Sequence, residues 1–349
     1  MWASGLAWWA AAAAAAVSVL SAAADKAPPA RDANAAALAE EVRGKGWIAY
    51  SARGSSGDWD IFLMRPDGSQ VRNITSTPAF EEAAPRFSPD GKRMLYRRLP
   101  KGTTVSHDKW GFQGSLVIAD ADGARPAVFG RDGEYPFAAW DPTGKRISCL
   151  TPKGIEIVDL AGKQVLRRLD RKGIFQQLFW SPDGKWFCGT ANHLGQSWTI
   201  ARMDAATGQL NAVSTFQNCT PDWFPDSNSV IFSSRPGDQG GYGWTQLWRA
   251  DGAGRRRSLL YGEDGRHIYG GLISPDGRYV VFSRCGQDGG GSEKSGAPMA
   301  MMRLADTPAI GGPSPALRKK HPATKDGPRL DLPVGWEPHW TAAEVGVGR

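Results

Sequence analysis

Two carboxylates, an amide and an imidazole recur at one register of this chain. Glu81, Glu134, Gln217 and His267 each stand six residues before a landmark, namely Phe87, Trp140, Trp223 and Ile273. Ile174 and Val334 hold the same offset before Trp180 and Trp340. Oxygen and nitrogen donors of this mix, if brought together, suit a divalent cation or a polar ligand. Two acids side by side repel unless a cation or a basic group neutralises them. Arg266 and Lys109 are the alternative partners. A second group comprises Tyr269, His107, Trp110, His193, Tyr242 and Trp244. Aromatic rings beside hydrogen-bonding groups suit sugars or peptides, although each tryptophan taken singly reads as packing. The chain has no Gly-x-Ser-x-Gly elbow and no Gly-x4-Gly-Lys loop. That favours a binding module over an enzyme and assigns no catalytic residue.

The landmarks belong to a repeated phrase. Ala84-Pro-Arg-Phe-Ser-Pro-Asp-Gly-Lys-Arg-Met-Leu-Tyr-Arg97 reads as strand, tight turn, strand. Proline presets φ, aspartate bonds nearby backbone, and glycine accepts positive φ. The phrase returns at Trp140-Asp-Pro-Thr-Gly144, Trp180-Ser-Pro-Asp-Gly184, Trp223-Phe-Pro-Asp-Ser227 and Ile273-Ser-Pro-Asp-Gly277, with a degenerate copy at Glu337-Pro-His-Trp-Thr341. Successive prolines lie 53, 40, 43 and 50 residues apart. Short alternating strands at that period predict an all-β fold, a six-bladed β-propeller of four-stranded blades. Trp47-Ile-Ala-Tyr50 and Asp60-Ile-Phe-Leu-Met64 lack a first strand of their own. Residues 335–341 are expected to supply it, so the C-terminal strand closes the first blade. The sixth blade shows no clear outer strand, and 286–297 and 307–333 read as surface insertions.

In such a ring the start of every innermost strand faces one channel mouth. This is the reason to expect Glu81, Glu134, Gln217 and His267 to converge, with Arg266, Tyr269, His107, Trp110, His193, Tyr242 and Trp244 on the same face. The only cofactor this suggests is a divalent cation at that mouth.

The aromatic-Ser-Pro-Asp-Gly-Lys phrase, with Asp60-Ile-Phe-Leu-Met-Arg-Pro-Asp-Gly-Ser69, resembles the TolB-like β-propeller repeat across about residues 46–342. The separate N-terminal domain of TolB has no counterpart in residues 25–45. The resemblance implies a propeller that binds or scaffolds a cell-envelope protein, peptide or polysaccharide. Oligogalacturonate lyases are similar at the level of the repeat, and they imply an alternative, a metal-dependent polysaccharide lyase. In that reading His107, His193, His267 and Gln217 would be the metal-holding positions by analogy of place in the fold.

The 349 residues carry a net charge of +7, with 41% hydrophobic and 22% charged side chains. A modest basic excess favours acidic partners. Lysines and arginines are spread through all blades, which argues against nucleic acid. The first charged residue is Asp25. Residues 1–24 therefore read as a signal peptide for a periplasmic or secreted protein, with an uncleaved N-terminal anchor as the alternative. Residues 25–45 read as a linker with one or two helical turns, and 343–349 as a tail. No later stretch is apolar enough to span a membrane, and a closed ring is expected to be a monomer. Cys149, Cys188, Cys219 and Cys285 lack CxxC spacing. They read as small buried hydrophobes, and any disulfide pairing among them stays open.

Overall fold

The computed structural model describes residues 33–105, 113–192, 194–195, 198–215, 217–235, 245–263, 265–286, 296–311 and 329–346. They form antiparallel sheets arranged as a β-propeller. The first is built from β1 (Trp47–Arg53), β2 (Trp59–Met64) and β3 (Arg72–Asn73). Four further sheets have four strands each. They are β4 (Phe80–Phe87), β5 (Arg93–Pro100), β6 (Ser115–Asp120) and β7 (Ala127–Phe129); then β8 (Ala139–Trp140), β9 (Arg146–Thr151), β10 (Gly154–Asp159) and β11 (Val165–Leu169). Next come β12 (Ile174–Trp180), β13 (Trp186–Ala191), β14 (Thr199–Asp204) and β15 (Leu210–Ser214), then β16 (Asn218–Trp223), β17 (Ser229–Ser234), β18 (Gln246–Asp251) and β19 (Arg257–Tyr261). The remaining strands are β20 (His267–Ile273), β21 (Tyr279–Cys285), β22 (Ala297–Arg303) and β23 (Leu330–Thr341).

The closing strand does two jobs. Over residues 330–335 β23 pairs with β22, and over 336–341 it pairs with β1. Trp47 faces Thr341 and Ile48 faces Trp340, as the missing first strand required. The same β23 also supplies the outer strand that the β20–β22 sheet seemed to lack. One 12-residue strand thus joins two sheets into a seven-stranded one.

Residues 33–42, expected as one or two helical turns within a linker, form a helix, α1 (Ala33–Val42), that docks on the propeller. Leu38, Ala39 and Val42 share one helical face and are buried against Ile48, Tyr279, Leu330 and Trp340. Glu41 fixes its far side. It accepts hydrogen bonds from the Tyr279 hydroxyl, from Arg303 Nε at 2.8 Å and from Arg278 Nη2 at 3.3 Å. The Tyr279 hydroxyl, with both guanidinium groups, holds the Glu41 carboxyl below its ordinary range. The tail is also engaged: Val345 is buried, and Glu344 pairs with Arg65 at 2.9 Å. All four cysteines are buried, and none forms a disulfide. Among the described residues no helix is long and apolar enough to cross a membrane.

The Ser-Pro-Asp-Gly turns are built by their side chains. Ser88 donates to Asp90 at 2.6 Å and accepts from the Arg93 amide at 3.0 Å, and Gly91 adopts φ +67°. Ser181 and Ser274 repeat both bonds with Asp183 and Trp186, and with Asp276 and Tyr279.

A second regularity lies inside the innermost strands. Three residues before each landmark the backbone turns left-handed, at Ala84 (φ 57°), Phe137 (49°), Gln177 (56°), Thr220 (51°), Gly270 (64°) and Glu337 (50°). Where the flanking pairing is long enough to show it, the register slips at the same place. These are β-bulges, and five of the six sit on residues that lose about 1–2 kcal/mol in this conformation. Hydroxyls and an amide of the preceding sheet help hold them. Ser51 Oγ accepts from the Ala84 amide, Gln177 Oε1 from Thr220, and Ser233 Oγ from Gly270.

Candidate functional site

Of the residues expected at the first channel mouth, Glu81 and His267 hold neighbouring sheets together. Glu81 is buried. Its Oε2 accepts from the Trp59 amide at 2.7 Å, and its Oε1 accepts from Gly102 at 3.0 Å. His267 is the counterpart on β20: its Nδ1 accepts from the Thr245 amide at 3.0 Å. Each therefore satisfies the backbone at the start of the third strand of the preceding sheet. Glu134 is half-buried, accepts from the Arg131 amide at 2.8 Å and lies 3.6 Å from its guanidinium. Gln217 is exposed, and its carbonyl accepts from the Arg235 amide. Arg266 lies 3.7 Å from Glu263, and Tyr269 stacks on His267 with ring centres 6.0 Å apart. His107, Trp110, His193, Tyr242 and Trp244, like Lys109, lie outside the described residues. Among the described residues no three His, Cys, Asp or Glu side chains converge as metal ligands.

The opposite mouth carries a different constellation. The residue just before each landmark is Arg86, Ala139, Phe179, Asp222, Leu272 or His339, and all six line one cavity of about 440 Å³. The bulge two residues earlier redirects each strand, so this position faces the channel axis. The landmarks Phe87, Trp140, Trp180, Trp223, Ile273 and Trp340 form the cavity wall, and the Pro-Asp-Gly turns form its rim.

Cross-sheet hydrogen bonds fix these channel residues. The Trp140 indole donates to the Arg86 carbonyl at 3.0 Å, and the Trp223 indole donates to that of Phe179 at 3.1 Å. His339 Nδ1 accepts from the Phe87 amide at 3.2 Å, and Asp222 Oδ2 accepts from Ile273 at 3.3 Å. Asp222 Oδ1 accepts from the Trp223 amide at 2.8 Å. Arg86 donates through Nη1 to the carbonyls of Pro85 and Glu337. Among the described residues its Nε and Nη2 meet no acceptor.

Depth in the channel governs the charges. Burial pushes the Asp222 carboxyl up to about 6, against the pull of its two amide donors and of Arg86. Burial holds His339 well below the usual imidazole range, and the Arg86 charge adds to this. His339 is therefore neutral at pH 7. Since its Nδ1 accepts, its proton sits on Nε2. Burial also lowers Arg86, while Glu337 and Asp222 draw it back up. These three groups nonetheless keep partial contact with solvent through the mouth.

The same landmarks and the same rule of equal register lead to this ring from sequence, at an offset of one residue rather than six. The mixture of Arg, Asp and His at a position otherwise filled by Ala, Phe and Leu was the available signal.

No protein-family model and no curated protein matches this chain. Solved structures are similar. TolB from Acinetobacter baumannii is 19% identical over 85% of this chain and 67% of its own, with a TM-score of 0.61. A chain described as TolB from Agrobacterium tumefaciens is 19% identical over 84% of this chain and 97% of its own, at 0.50. A chain of a nidogen/laminin complex is 14% identical over 76% and 93%, at 0.54. At such identities the likeness is one of fold. The chain is an all-β propeller that resembles TolB propellers and other β-propellers.

Proposed function

We propose that this chain is a six-bladed propeller exported to the cell envelope, where it binds or scaffolds an envelope protein or peptide. The sixfold recurrence of landmark and left-handed bulge supports the blade count. The uncharged residues 1–24 support export. The observation that carries the binding reading is the turn-face cavity, where Arg86, Asp222 and His339 are the polar members of an otherwise apolar ring. A concave apolar site with a few convergent polar groups is the usual form of a ligand site. The neighbour solved as a nidogen/laminin complex shows this fold within a protein–protein assembly. The alternative lyase would need His267 and Gln217 to share a metal with His107 and His193. His267 Nδ1 is taken by Thr245, and Gln217 is exposed on the surface, so the turn-face mouth is the better-supported site.

The test uses the full chain with a C-terminal tag, expressed in its source cells. Fractionation should place it in the envelope or medium, and crosslinking followed by pull-down should recover a specific partner. That partner should be lost from an Arg86→Gln, His339→Gln double variant that still folds. Cytoplasmic protein, or a partner indifferent to both changes, would overturn the reading. Release of unsaturated uronides from polygalacturonate would favour the lyase instead.

A further inference from the structure

We infer that the turn-face mouth recognises the terminal carboxylate of a peptide chain, held by Arg86 and His339, and that Asp222 sets the pH range of recognition. This rests on the binding reading above and specifies its ligand.

Two residues that line the cavity keep donors that meet no acceptor among the described residues. Arg86 spends only Nη1 on carbonyls, which leaves Nε and Nη2 as one edge of the guanidinium fork. His339 presents an Nε2–H, because Nδ1 is committed to the Phe87 amide. Both residues line the same cavity. A carboxylate matches the guanidinium edge in shape and charge, and the imidazole N–H adds a third donor. The tryptophan indoles at Trp140 and Trp223 are already used on backbone carbonyls, so they wall the site without competing for the ligand.

Depth selects the chain end. Pro89 at the rim lies three positions beyond Arg86, which is about 10 Å of extended chain. A carboxylate in the middle of a polyuronate has polymer on both sides and would foul that rim. A peptide C-terminus enters end-on, with its last side chains against the aromatic wall.

Asp222 is the opposing group. Among the described residues the charged or titratable groups that act on it are Arg86 from β4 and Cys188 from β13, and His339, on the same cavity wall, feels the same Arg86 charge. Glu337 acts on Arg86 from two residues deeper and is not part of the cavity wall. Ionised Asp222 competes for Arg86 and repels a second carboxylate. Protonated, it does neither. The ligand carboxyl, with an ordinary value of about 3.5, stays ionised well below the range in which Asp222 takes up its proton. Affinity therefore rises as pH falls from 7.5 to 5.5.

The experiment is fluorescence anisotropy on the full chain. The probe is an N-terminally labelled random hexapeptide pool with free C-termini, compared with the same pool amidated. The free pool should bind at least tenfold more tightly, with a further three- to tenfold gain at pH 5.5. Asp222→Asn should give the low-pH affinity at pH 7.5 and abolish the pH dependence. Arg86→Gln should lose tenfold or more. Should that variant misfold, Arg86→Lys, which keeps the charge but loses the fork, should still weaken binding. Equal binding of both pools would overturn the carboxylate reading and leave a peptide site standing. Binding of polygalacturonate in preference to either pool would overturn the peptide class. Absence of all binding, with no partner recovered from the envelope, would remove the binding reading as well.

Discussion

At the scale of single residues, the three polar side chains of the channel, Arg86, Asp222 and His339, and the indoles of Trp140 and Trp223 all bond backbone. Trp140 is the clearest case, a buried ring whose N–H satisfies the carbonyl of Arg86. Trp140→Ala should cost about 3–5 kcal/mol by leaving a cavity. Trp140→Phe should cost about 0.5–1.5 kcal/mol by removing that hydrogen bond. Trp180 is a control. Its indole nitrogen is buried, with no acceptor among the described residues, so Trp180→Phe should be close to neutral in urea denaturation. Equal losses at both positions would mean that the hydrogen bond is not what matters. Asp222 makes a separate prediction. Its folded pKa is raised, so its contribution to stability is fully present below about 4 and is lost as pH rises through about 6. His339, which is depressed, acts in the opposite sense and destabilises as pH falls below about 6.5. The wild-type curve mixes the two. The difference between wild type and Asp222→Asn isolates the first, and should favour the variant by about 1–3 kcal/mol at pH 7.5 but not at pH 4. A pH-independent difference in melting would exclude the assignment.

At the scale of elements, α1 is the addition that the repeat does not explain. Its propensity is adequate, with five alanines among ten residues. A helix this short still needs packing to persist, and Leu38, Ala39 and Val42 provide it. Leu38 is fully buried. Leu38→Ala should cost about 2–5 kcal/mol if the helix belongs to the cooperative unit. Hydrogen exchange at 33–42 distinguishes this from a helix that frays on its own, for which global unfolding would not change.

For the whole molecule, closure rests on β23. Removing residues after Pro333 would strip its pairing from β1 while leaving Leu330 and Leu332 on β22. The bared edge of β1 is apolar, with Ile48 and Tyr50 buried in the intact protein. The truncated chain should aggregate or melt well below the full one. A soluble product with an unchanged melting profile would show that closure contributes little.

The sequence by itself determined the repeat, because the Pro-Asp-Gly turns and alternating strands are local chemistry. From the number of landmarks it also required that 335–341 return to the first strand of the chain. The tertiary structure decided what local pattern cannot express. Glu81 and His267 share a register, and there both side chains satisfy the backbone of the neighbouring sheet. The left-handed bulge, carried mostly by residues such as Ala84 and Gln177 that do not advertise it, turns the strand so that Arg86, Asp222 and His339 line the cavity. Outer-strand pairing of 330–335 and docking of 33–42 were likewise hidden. The docking of 33–42 depends on surfaces from opposite ends of the chain, which meet only after the ring has closed, and the pairing of 330–335 with β22 joins segments that a long insertion separates in sequence.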